Sequence, residues 1–363
     1  MTHPATFIVE KLPPQEMLAP LWREFDRTGS HSFFLSWTWM GTLLGLLPSP
    51  PMLLKAMRGA EVVGLSLLAR RQAKIRGVLP VKQAWLNATG DPNFDCVMLE
   101  HNGFATVGND GTGLLPIFIE WCARGGIDAG ELIVPGAEPG AMEGAGAGLI
   151  VVERRHAAYR TPLSGIGAGG LESVISRNAR QQLRRSRRDY ETLSLEVAKD
   201  EVAALDIFAQ LKDLHVRSWT RRGRRHAFTS PFFETFHCAM IAAGMKDGSV
   251  DLLRVAAGGH TLGCLYNFRR GGVVSSYQSG FDDEKPGLRP GYLCHAMAIE
   301  HYAAAGLTYY DFLAGTNRLK QSFGTEQYEL VWRHYRKPTL AFRAESIARK
   351  AVALVRRKAP KVG

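Results

Sequence analysis

Residues 251–324 read DLLRVAAGGHTLGCLYNFRRGGVVSSYQSGFDDEKPGLRPGYLCHAMAIEHYAAAGLTYYDFLAGTNRLKQSFG, and this stretch decides the fold. Its first part alternates apolar segments with pairs of glycines, a pattern typical of strands joined by hairpin turns. The three predicted strands are Asp251–Ala257, Leu262–Arg270 and Val273–Phe281. The turns between them contain Gly258-Gly259 and Gly271-Gly272. The sequence therefore predicts an antiparallel meander.

A loop, a helix and a further strand follow the meander. The loop spans residues 286–291 and contains two prolines and two glycines. After it, a helical period places four apolar residues on one face: Tyr292, Ala296, Ile299 and Ala303. Gly306 marks the end of this helix, and the strand Tyr309–Leu313 comes next. A glycine-bearing loop ahead of a helix exposes backbone N–H groups at the positive end of the helix dipole, which predicts a phosphate site.

The composition favours a protein of two domains with an anionic partner. The chain has 363 residues, is 45% hydrophobic and carries a net charge of +11, which suits a phosphorylated cofactor, a nucleic acid or an anionic membrane surface. It contains no apolar run that could span a bilayer, and its first residues lack a signal-peptide pattern, so we expect a cytoplasmic protein. The five cysteines are scattered without metal-ligand spacing, which argues against zinc and against a disulfide framework.

The order of strands, loop, helix and strand resembles that of the GNAT acyltransferases. It is most similar to their CelD-like two-domain branch, which is often associated with bacterial polysaccharide synthesis. Short stretches carry the resemblance: His215–Trp219, Arg222-Gly223, Ala227-Phe228, Pro231–Phe233, Phe236-His237, Gly280–Asp282, Pro290-Gly291, and Tyr310–Leu313 with Gly315 and Lys320. Fem-type peptidyltransferases are similar over residues 310–324. The resemblance extends from residue 171 to residue 324.

This resemblance implies an α/β (α+β) fold with two tandem GNAT-like domains, each a mixed, mostly antiparallel sheet flanked by helices. We expect a degenerate GNAT-like domain over residues 1–155 and an acyltransferase domain over residues 156–338. In the N-terminal part, the aromatic-rich segment His31–Gly41 is more typical of a core than of a pocket. Residues 339–363 read as a basic amphipathic helix that either packs on the domain or lies on an anionic membrane surface.

An arginine-rich helix is predicted over Leu171–Glu191. Its basic side chains recur at helical spacing: Arg177, Arg180, Arg184, Arg185, Arg187 and Arg188. Leu171, Ile175 and Leu183 mark the opposite, apolar side. Like charges at this spacing repel each other. The basic face is therefore either solvated or occupied by an anion.

Acyl transfer from a thioester requires a base for the acceptor and a donor for the oxyanion. The resemblance implies a bulged or splayed strand over Val273–Phe281, where Tyr277 shares a face with serines. Asp311 lies in an apolar strand, where a carboxylate is costly unless it is paired or functional. Lys320 could return to the same site, as the Fem-type resemblance also implies. Together with His215, these residues are our catalytic candidates. His215 and His237 are the weaker ones, because each lies in a predicted helix and could instead be a core histidine.

The donor is expected to be acetyl-CoA or another acyl-CoA. The residues expected to bind it are Gln278, Ser279, Arg289, Gly291 and Tyr292. The loop departs from the GNAT phosphate-loop pattern RxxGxG/A, because Pro290 removes one N–H donor. A proline is nevertheless tolerated in the first turn of a helix, where that donor is otherwise free.

The sequence therefore predicts an acyl-CoA-dependent N- or O-acyltransferase that acts on a sugar, a polysaccharide precursor or a small amine. Two alternatives stay open. A Fem-like transferase would use aminoacyl-tRNA and bind it through the arginine-rich segments with a steep salt dependence. A non-catalytic accessory protein of polysaccharide synthesis would consume no thioester, and it could contact a membrane through its C-terminal basic segment.

Overall fold

The computed structural model describes residues 4–75, 79–108, 113–167, 169–284, 288–340 and 342–345. The strands are β1 Thr6–Glu10, β2 Met52–Arg58, β3 Glu61–Ile75, β4 Leu79–Leu86, β5 Ala105–Thr106, β6 Glu131–Ala137, β7 Ile150–Pro162, β8 Leu193–Val197, β9 Val250–Ala257, β10 His260–Arg270, β11 Val273–Phe281, β12 Tyr309–Ala314 and β13 Glu326–Arg336. The helices are α1 Gln15–Thr28, α2 Trp37–Leu46, α3 Leu114–Ala123, α4 Arg177–Arg188, α5 Glu201–Arg221, α6 Pro231–Asp247, α7 Pro290–Ala304 and α8 Arg318–Phe323.

The chain repeats one order of elements. The N-terminal half, residues 6–137, runs β1, α1, α2, β2, β3, β4, α3 and β6. The C-terminal half, residues 193–314, runs β8, α5, α6, β9, β10, β11, α7 and β12. The N-terminal half also has the short β5 between β4 and α3. In each half the last strand, β6 or β12, is parallel to the strand that ends the meander, β4 or β11, whereas the other pairs are antiparallel. The predicted fold class, two mixed and mostly antiparallel sheets flanked by helices, is confirmed.

The two halves join into one continuous sheet by exchanging strands. The order is β1-β2-β3-β4-β6-β13-β7-β12-β11-β10-β9-β8. Strand β7 follows β6 in the chain but pairs with β12, and β13 follows β12 but pairs with β6. At the centre, β13 and β7 pair antiparallel from Glu326↔Arg160 to Arg336↔Ile150. Residue 155 lies inside β7, and the division of the chain at this residue stays a prediction.

A mixed core lies where helices of the two halves meet. The aromatic-rich segment that precedes and opens α2 is buried there, as the sequence predicts for a core. Phe33 stacks on Phe268 of β10 with ring centroids 4.4 Å apart, and Trp39 meets Phe236 of α6 edge-on at 5.0 Å. Helices α1 and α2 therefore seal the same face of the sheet as α5 and α6.

The predicted meander and its turns are confirmed. Gly258, Gly259, Gly271 and Gly272 all have positive φ, as the two-residue turns of tight hairpins require. Helix α7 ends at Ala304, and Gly306 with φ 76° follows its C-cap. The chain turns at this point because glycine reaches the left-handed region without steric cost.

The prediction of one arginine-rich helix over residues 171–191 is wrong in its bounds. Leu171–Ser173 forms a separate 3-10 turn, and α4 begins at Arg177 because the Ser176 hydroxyl accepts from the Ala179 N–H. The apolar side is buried as predicted through Leu171, Ile175 and Leu183.

Part of the basic face of α4 is neutralised within the protein. Arg184 pairs with Glu172 at 2.6 Å, and Arg187 pairs with Glu172 at 3.2 Å and with Glu300 of α7 at 2.8 Å. The repulsion expected along this helix is thus relieved by internal carboxylates at these two positions. Arg177, Arg185 and Arg188 stay exposed, and the half-buried Arg180 has an Nε without a hydrogen-bond partner among the described residues. These four arginines are the ones left for an external anion.

We expect Arg187→Gln to lower the free energy of unfolding by about 1–2 kcal/mol, because its guanidinium bridges α4 to α7 through two half-buried carboxylates. The exposed neighbour offers a matched control, and Arg185→Gln should change stability by less than about 0.5 kcal/mol. Urea denaturation of both variants measures the difference. Equal stability of the two would show that the bridge contributes nothing.

No helix in the described part of the chain is long and apolar enough to cross a membrane. Of the predicted basic C-terminal segment, residues 341 and 346–363 lie outside the described residues. Its described start packs on the domain: Phe342 is buried and Glu345 accepts from Arg336 of β13 at 2.7 Å. The packing of the rest and the membrane contact stay predictions.

Candidate active site

A gap opens in the sheet where β11 and β12 diverge. The two strands pair only from Val273↔Tyr309 to Ser275↔Asp311. On its other side, β11 pairs with β10 through a register shift, so that Tyr266 faces Gln278 and Asn267 faces Ser276. Tyr277 is therefore the extra residue of a β-bulge, which bends a strand away from its neighbour. The bulged and splayed strand that the resemblance implies is present at the predicted position.

The gap continues into a cleft of about 520 Å³. Its walls come from the end of α5, the splayed part of β11, the start of α7, and α8. The lining residues used below are His215, Tyr277, Gln278, Ser279, Arg289, Gly291, His295 and Lys320. A cleft of this size accommodates an elongated small-molecule ligand.

His215 projects from α5 toward the splayed strand and is prepared to accept a proton. Its Nδ1 lies 2.9 Å from the Ser279 carbonyl oxygen, so Nδ1 carries the hydrogen and donates. Among the described residues, its buried Nε2 has no hydrogen-bond partner. Burial lowers the pKa of His215, which keeps the ring neutral. A neutral imidazole with an unoccupied Nε2 is suited to act as a general base.

His237, the other histidine candidate, lies in the core. It is fully buried, its Nδ1 lies 3.3 Å from the Tyr266 hydroxyl, and burial lowers its pKa to about 3. It is absent from the lining of the cleft. These contacts match the alternative interpretation of a core histidine.

Tyr277 lines the cleft at the bulge but cannot act as a base. Its ring packs against Phe268 at 5.0 Å and His237 at 5.0 Å, and burial raises the pKa of its phenol well above the usual value. The phenol therefore stays protonated at neutral pH. It can donate a hydrogen bond or shape the wall.

Gln278 and Ser279 lie together at the splayed edge. The Gln278 side-chain oxygen accepts from the Ser279 backbone N–H at 3.0 Å. The Ser279 N–H is thus occupied by the preceding side chain rather than free. A ligand carbonyl that used the Ser279 N–H as its donor would have to replace the Gln278 side-chain oxygen.

The described part of the predicted phosphate loop, residues 288–291, lines the cleft. Helix α7 begins at Pro290 without a side-chain cap. Pro290 has no N–H and the Tyr292 N–H donates to the Arg289 carbonyl at 3.0 Å, so of the first three helical residues only Gly291 can offer a backbone N–H to a ligand. Gly291 faces the cleft, where a Cβ would lie 3.1 Å from the Phe281 ring, so a larger residue would narrow the passage. Arg289 donates to Gln182 of α4 and lies 5.7 Å from the Tyr292 ring. Lys285, Pro286 and Gly287 lie outside the described residues.

Tyr292 supports the loop rather than lining the cleft. It is buried, its hydroxyl lies 3.0 Å from Ser322 Oγ of α8, and its ring meets Phe323 at 5.0 Å. The structure therefore places it behind the start of α7 and against α8, absent from the residues that line the cleft.

Lys320 brings an ammonium group to the floor of the cleft. Asn317 caps α8 by accepting from the Lys320 backbone N–H at 2.9 Å, which fixes the start of the helix. The Nζ atom donates to the Ala314 carbonyl at 2.6 Å and to the Leu313 carbonyl at 3.3 Å. Burial lowers the pKa of Lys320, while the charges of Glu100 and Asp311 act against it.

Asp311 does not pair directly with Lys320, which corrects the expected contact. Its carboxylate instead accepts from the Tyr328 hydroxyl at 2.8 Å, from His101 Nε2 at 3.1 Å and from the Leu313 N–H at 2.8 Å. Its side chain is 4% exposed and does not line the cleft. Successive residues of a strand point to opposite faces, and Phe312 lines the cleft, so the Asp311 side chain points away from it.

Sequence reasoning missed His101 and Glu100, which come from the N-terminal half. His101 also holds Glu138 at 2.9 Å. Burial disfavours its charged form, but the hydrogen bonds to Asp311 and Glu138 outweigh burial and raise the pKa of His101 to about 10. Glu100 accepts from the Ala314 N–H at 2.9 Å, and burial raises its pKa. The contacts span more than two hundred residues of sequence, so no local pattern indicates them.

The corresponding gap of the N-terminal half is bridged by a side chain. Strands β4 and β6 also pair over a short stretch only, Gln83–Trp85 with Glu131–Ile133. Beyond it, the Asn102 amide donates to the Leu86 carbonyl at 3.0 Å and to the Pro135 carbonyl at 2.8 Å. Glu100 and His101 directly precede Asn102 in the chain, and their side chains contact Ala314 and Asp311 of the C-terminal half.

Metal chemistry has no ready ligand set in the described ranges. There, no group of three or more His, Cys, Asp or Glu side chains could hold a metal ion. The five cysteines, all in described segments, are free thiols.

Comparisons with known proteins agree with this geometry. Residues 177–321 match the model of the acetyltransferase (GNAT) domain family. Among solved structures, FemX superposes with a TM-score of 0.57 at 13% identity over 89% of this chain and 96% of that chain. L-PGS from Bacillus licheniformis gives 0.53 at 13% identity over 94% and 98%. No curated protein matches the sequence significantly. At such low identity the two structures show a common fold, while the family match covers the α4 to α8 region that builds the cleft. Residues 177–321 therefore form a GNAT acetyltransferase domain, which makes the protein an acyltransferase.

Proposed function

We propose that the protein transfers an acyl group, preferably acetyl, from acyl-CoA to an amine or hydroxyl of a sugar, a polysaccharide precursor or a small amine. The observation that carries this proposal is the cleft at the splay of β11 and β12, which has the uncapped start of α7 at one end and His215 beside the strand edge.

The cleft fits the donor in shape and charge. The Gly291 N–H at the start of α7 and the Arg289 guanidinium would hold the pyrophosphate, because a helix N-terminus and a guanidinium both favour anions. Gly291 keeps the mouth open beside Phe281. The thioester would then lie along the splayed edge of β11, where backbone groups have no strand partner on the β12 side.

Two residues of the cleft would carry the chemistry. His215 would take the proton of the acceptor through Nε2, since Nδ1 is fixed on the Ser279 carbonyl. The Lys320 ammonium would stabilise negative charge that develops on the carbonyl oxygen. Asp311 is removed from this role, because its two oxygens are already bound and it does not face the cleft.

The acceptor would enter from the side of the N-terminal half. Phe94 meets Phe232 at the start of α6 at 5.0 Å, and Cys96 lies 3.3 Å from Ser230 Oγ, so this segment packs against the start of α6. The N-terminal half would thereby contribute to the acceptor side.

Titration calorimetry with acetyl-CoA tests the donor. We expect micromolar affinity, and Arg289→Ala should weaken binding by about 1–3 kcal/mol, the range for a charge-assisted hydrogen bond. Arg318→Ala is the matched control, because Arg318 is exposed on α8 and does not line the cleft. No binding of any acyl-CoA, together with saturable binding of tRNA, would refute the proposed donor.

A further inference from the structure

Residues 311–314 of β12, called here the β12 bulge, have an irregular backbone. The register with β7 shifts between Asp311 and Ala314, and Leu313 has φ 61°. A leucine in the left-handed region is strained and persists only where its surroundings over-determine it. The bulge therefore needs partners that fix its backbone.

Two carboxylates hold the amides of the bulge. The Leu313 N–H donates to Asp311 Oδ1 at 2.8 Å, and the Ala314 N–H donates to Glu100 Oε2 at 2.9 Å. Asp311 is in turn held by His101 of the N-terminal half. The same two residues, Leu313 and Ala314, use their carbonyls to bind the Lys320 ammonium.

We propose that Glu100 and His101 are positioning residues through which the N-terminal half places the Lys320 ammonium in the cleft. Both act through the β12 bulge, and neither lines the cleft. The inference rests on the proposed function, in which Lys320 acts on the acyl carbonyl. The N-terminal half, whose own gap between β4 and β6 is closed by Asn102, thereby takes part in the chemistry of the C-terminal half.

The charged and titratable groups around the ammonium are few in the part of the chain that the structure describes. Glu100 faces it from the N-terminal half, Asp311 from β12 and His295 from α7. Burial, followed by the charge of Lys320, lowers the pKa of His295 to about 3, so this imidazole stays neutral. Glu100 and Asp311 are therefore the groups whose charge favours the protonated amine.

Trace labelling with acetic anhydride, read at Lys320 by peptide mass spectrometry across pH, tests the inference without any acyl donor or acceptor. Glu100→Gln keeps an acceptor for the Ala314 N–H but removes the charge, so the labelling midpoint of Lys320 should fall by about one pH unit. His101→Gln should release Asp311 and raise the labelling rate of Lys320 severalfold at fixed pH.

His334→Gln is the matched control, because His334 also pairs with a buried carboxylate on a neighbouring strand, Glu131 at 2.9 Å. His334 lies near the end of β13, whereas Tyr328, which contacts Asp311, lies near its start. His334→Gln should leave Lys320 labelling unchanged. If Glu100→Gln does not fold, His101→Gln decides. Wild-type labelling of Lys320 in a folded His101→Gln protein, or in a folded Glu100→Gln protein, would overturn the inference. A failure of acetyl-CoA to bind would instead refute the proposed function and leave this result standing.

Discussion

Lys320→Met should lower the turnover of acyl transfer by about 100-fold or more, in keeping with the loss of one preorganised donor to an oxyanion. Acetyl-CoA affinity should change little, because the interaction strengthens mainly in the transition state. Stability should fall by about 1–2 kcal/mol, since the Leu313 and Ala314 carbonyls each lose a charged donor. Steady-state kinetics with a thiol reagent that detects released CoA, run beside calorimetry, separates the two effects.

Lys212→Met is the matched control for this experiment. Lys212 lies on α5 and pairs with Glu234 at 2.6 Å on the surface, so its loss should leave turnover unchanged. Wild-type turnover in a folded Lys320→Met protein would remove Lys320 from the chemistry. A loss of donor affinity equal to the loss of turnover would show that Lys320 binds the donor in its ground state instead.

Asp311→Asn should lower the free energy of unfolding by about 3–5 kcal/mol, because it leaves the His101 cation with only Glu138 and weakens the bond to the strained Leu313 amide. The pH dependence should change with it. The pKa of His101 is about 10 in the folded protein and roughly 6.5 in an unfolded chain. The folded state thus binds more protons between these values, so wild-type stability is fully present below pH of about 6.5 and is lost as pH rises toward 10.

In Asp311→Asn this loss between neutral and alkaline pH should become much smaller, because the largest group that favours the His101 proton is gone. Urea denaturation at a series of pH values measures the slope. Asp251→Asn serves as the comparison: Asp251 is also buried, burial raises its pKa, and it accepts from the Tyr302 hydroxyl at 3.0 Å. Equal slopes for the wild type and Asp311→Asn would show that His101 is not held by Asp311.

Local signals were sufficient for the meander and for α7, because hairpin glycines and a 3.6-residue period act within a few residues. The bulged strand Val273–Phe281 was expected from the family resemblance rather than from a local signal, and the structure places the bulge at Tyr277. Strands β7 and β8 escaped the sequence analysis. β7 is polar and exposed over much of its length, so it shows no clear alternation of apolar and polar residues. It forms a strand because it pairs with β13 on one side and with β12 on the other.

The candidate site was only half predictable. His215, Arg289 and Gly291 reach the cleft from elements whose order the sequence indicates. The partners of Asp311 could not be foreseen, because His101 lies in a loop of the other half and Tyr328 lies on the strand that crosses between halves. An unusual carboxylate in an apolar strand indicated that some partner exists, and only the fold could identify which one.

The exchange of β7 and β13 has a consequence for how the chain can fold as it is made. Strand β6 pairs with β13 on one side, so the N-terminal half cannot complete its sheet until residue 336 has left the ribosome. Until then β6 presents an open edge, which is a template for pairing with other chains. Such long-range pairing slows folding and prolongs exposure to aggregation. A fragment ending before β13 should therefore depend on chaperones or precipitate, even though every residue of the cleft would be present in it.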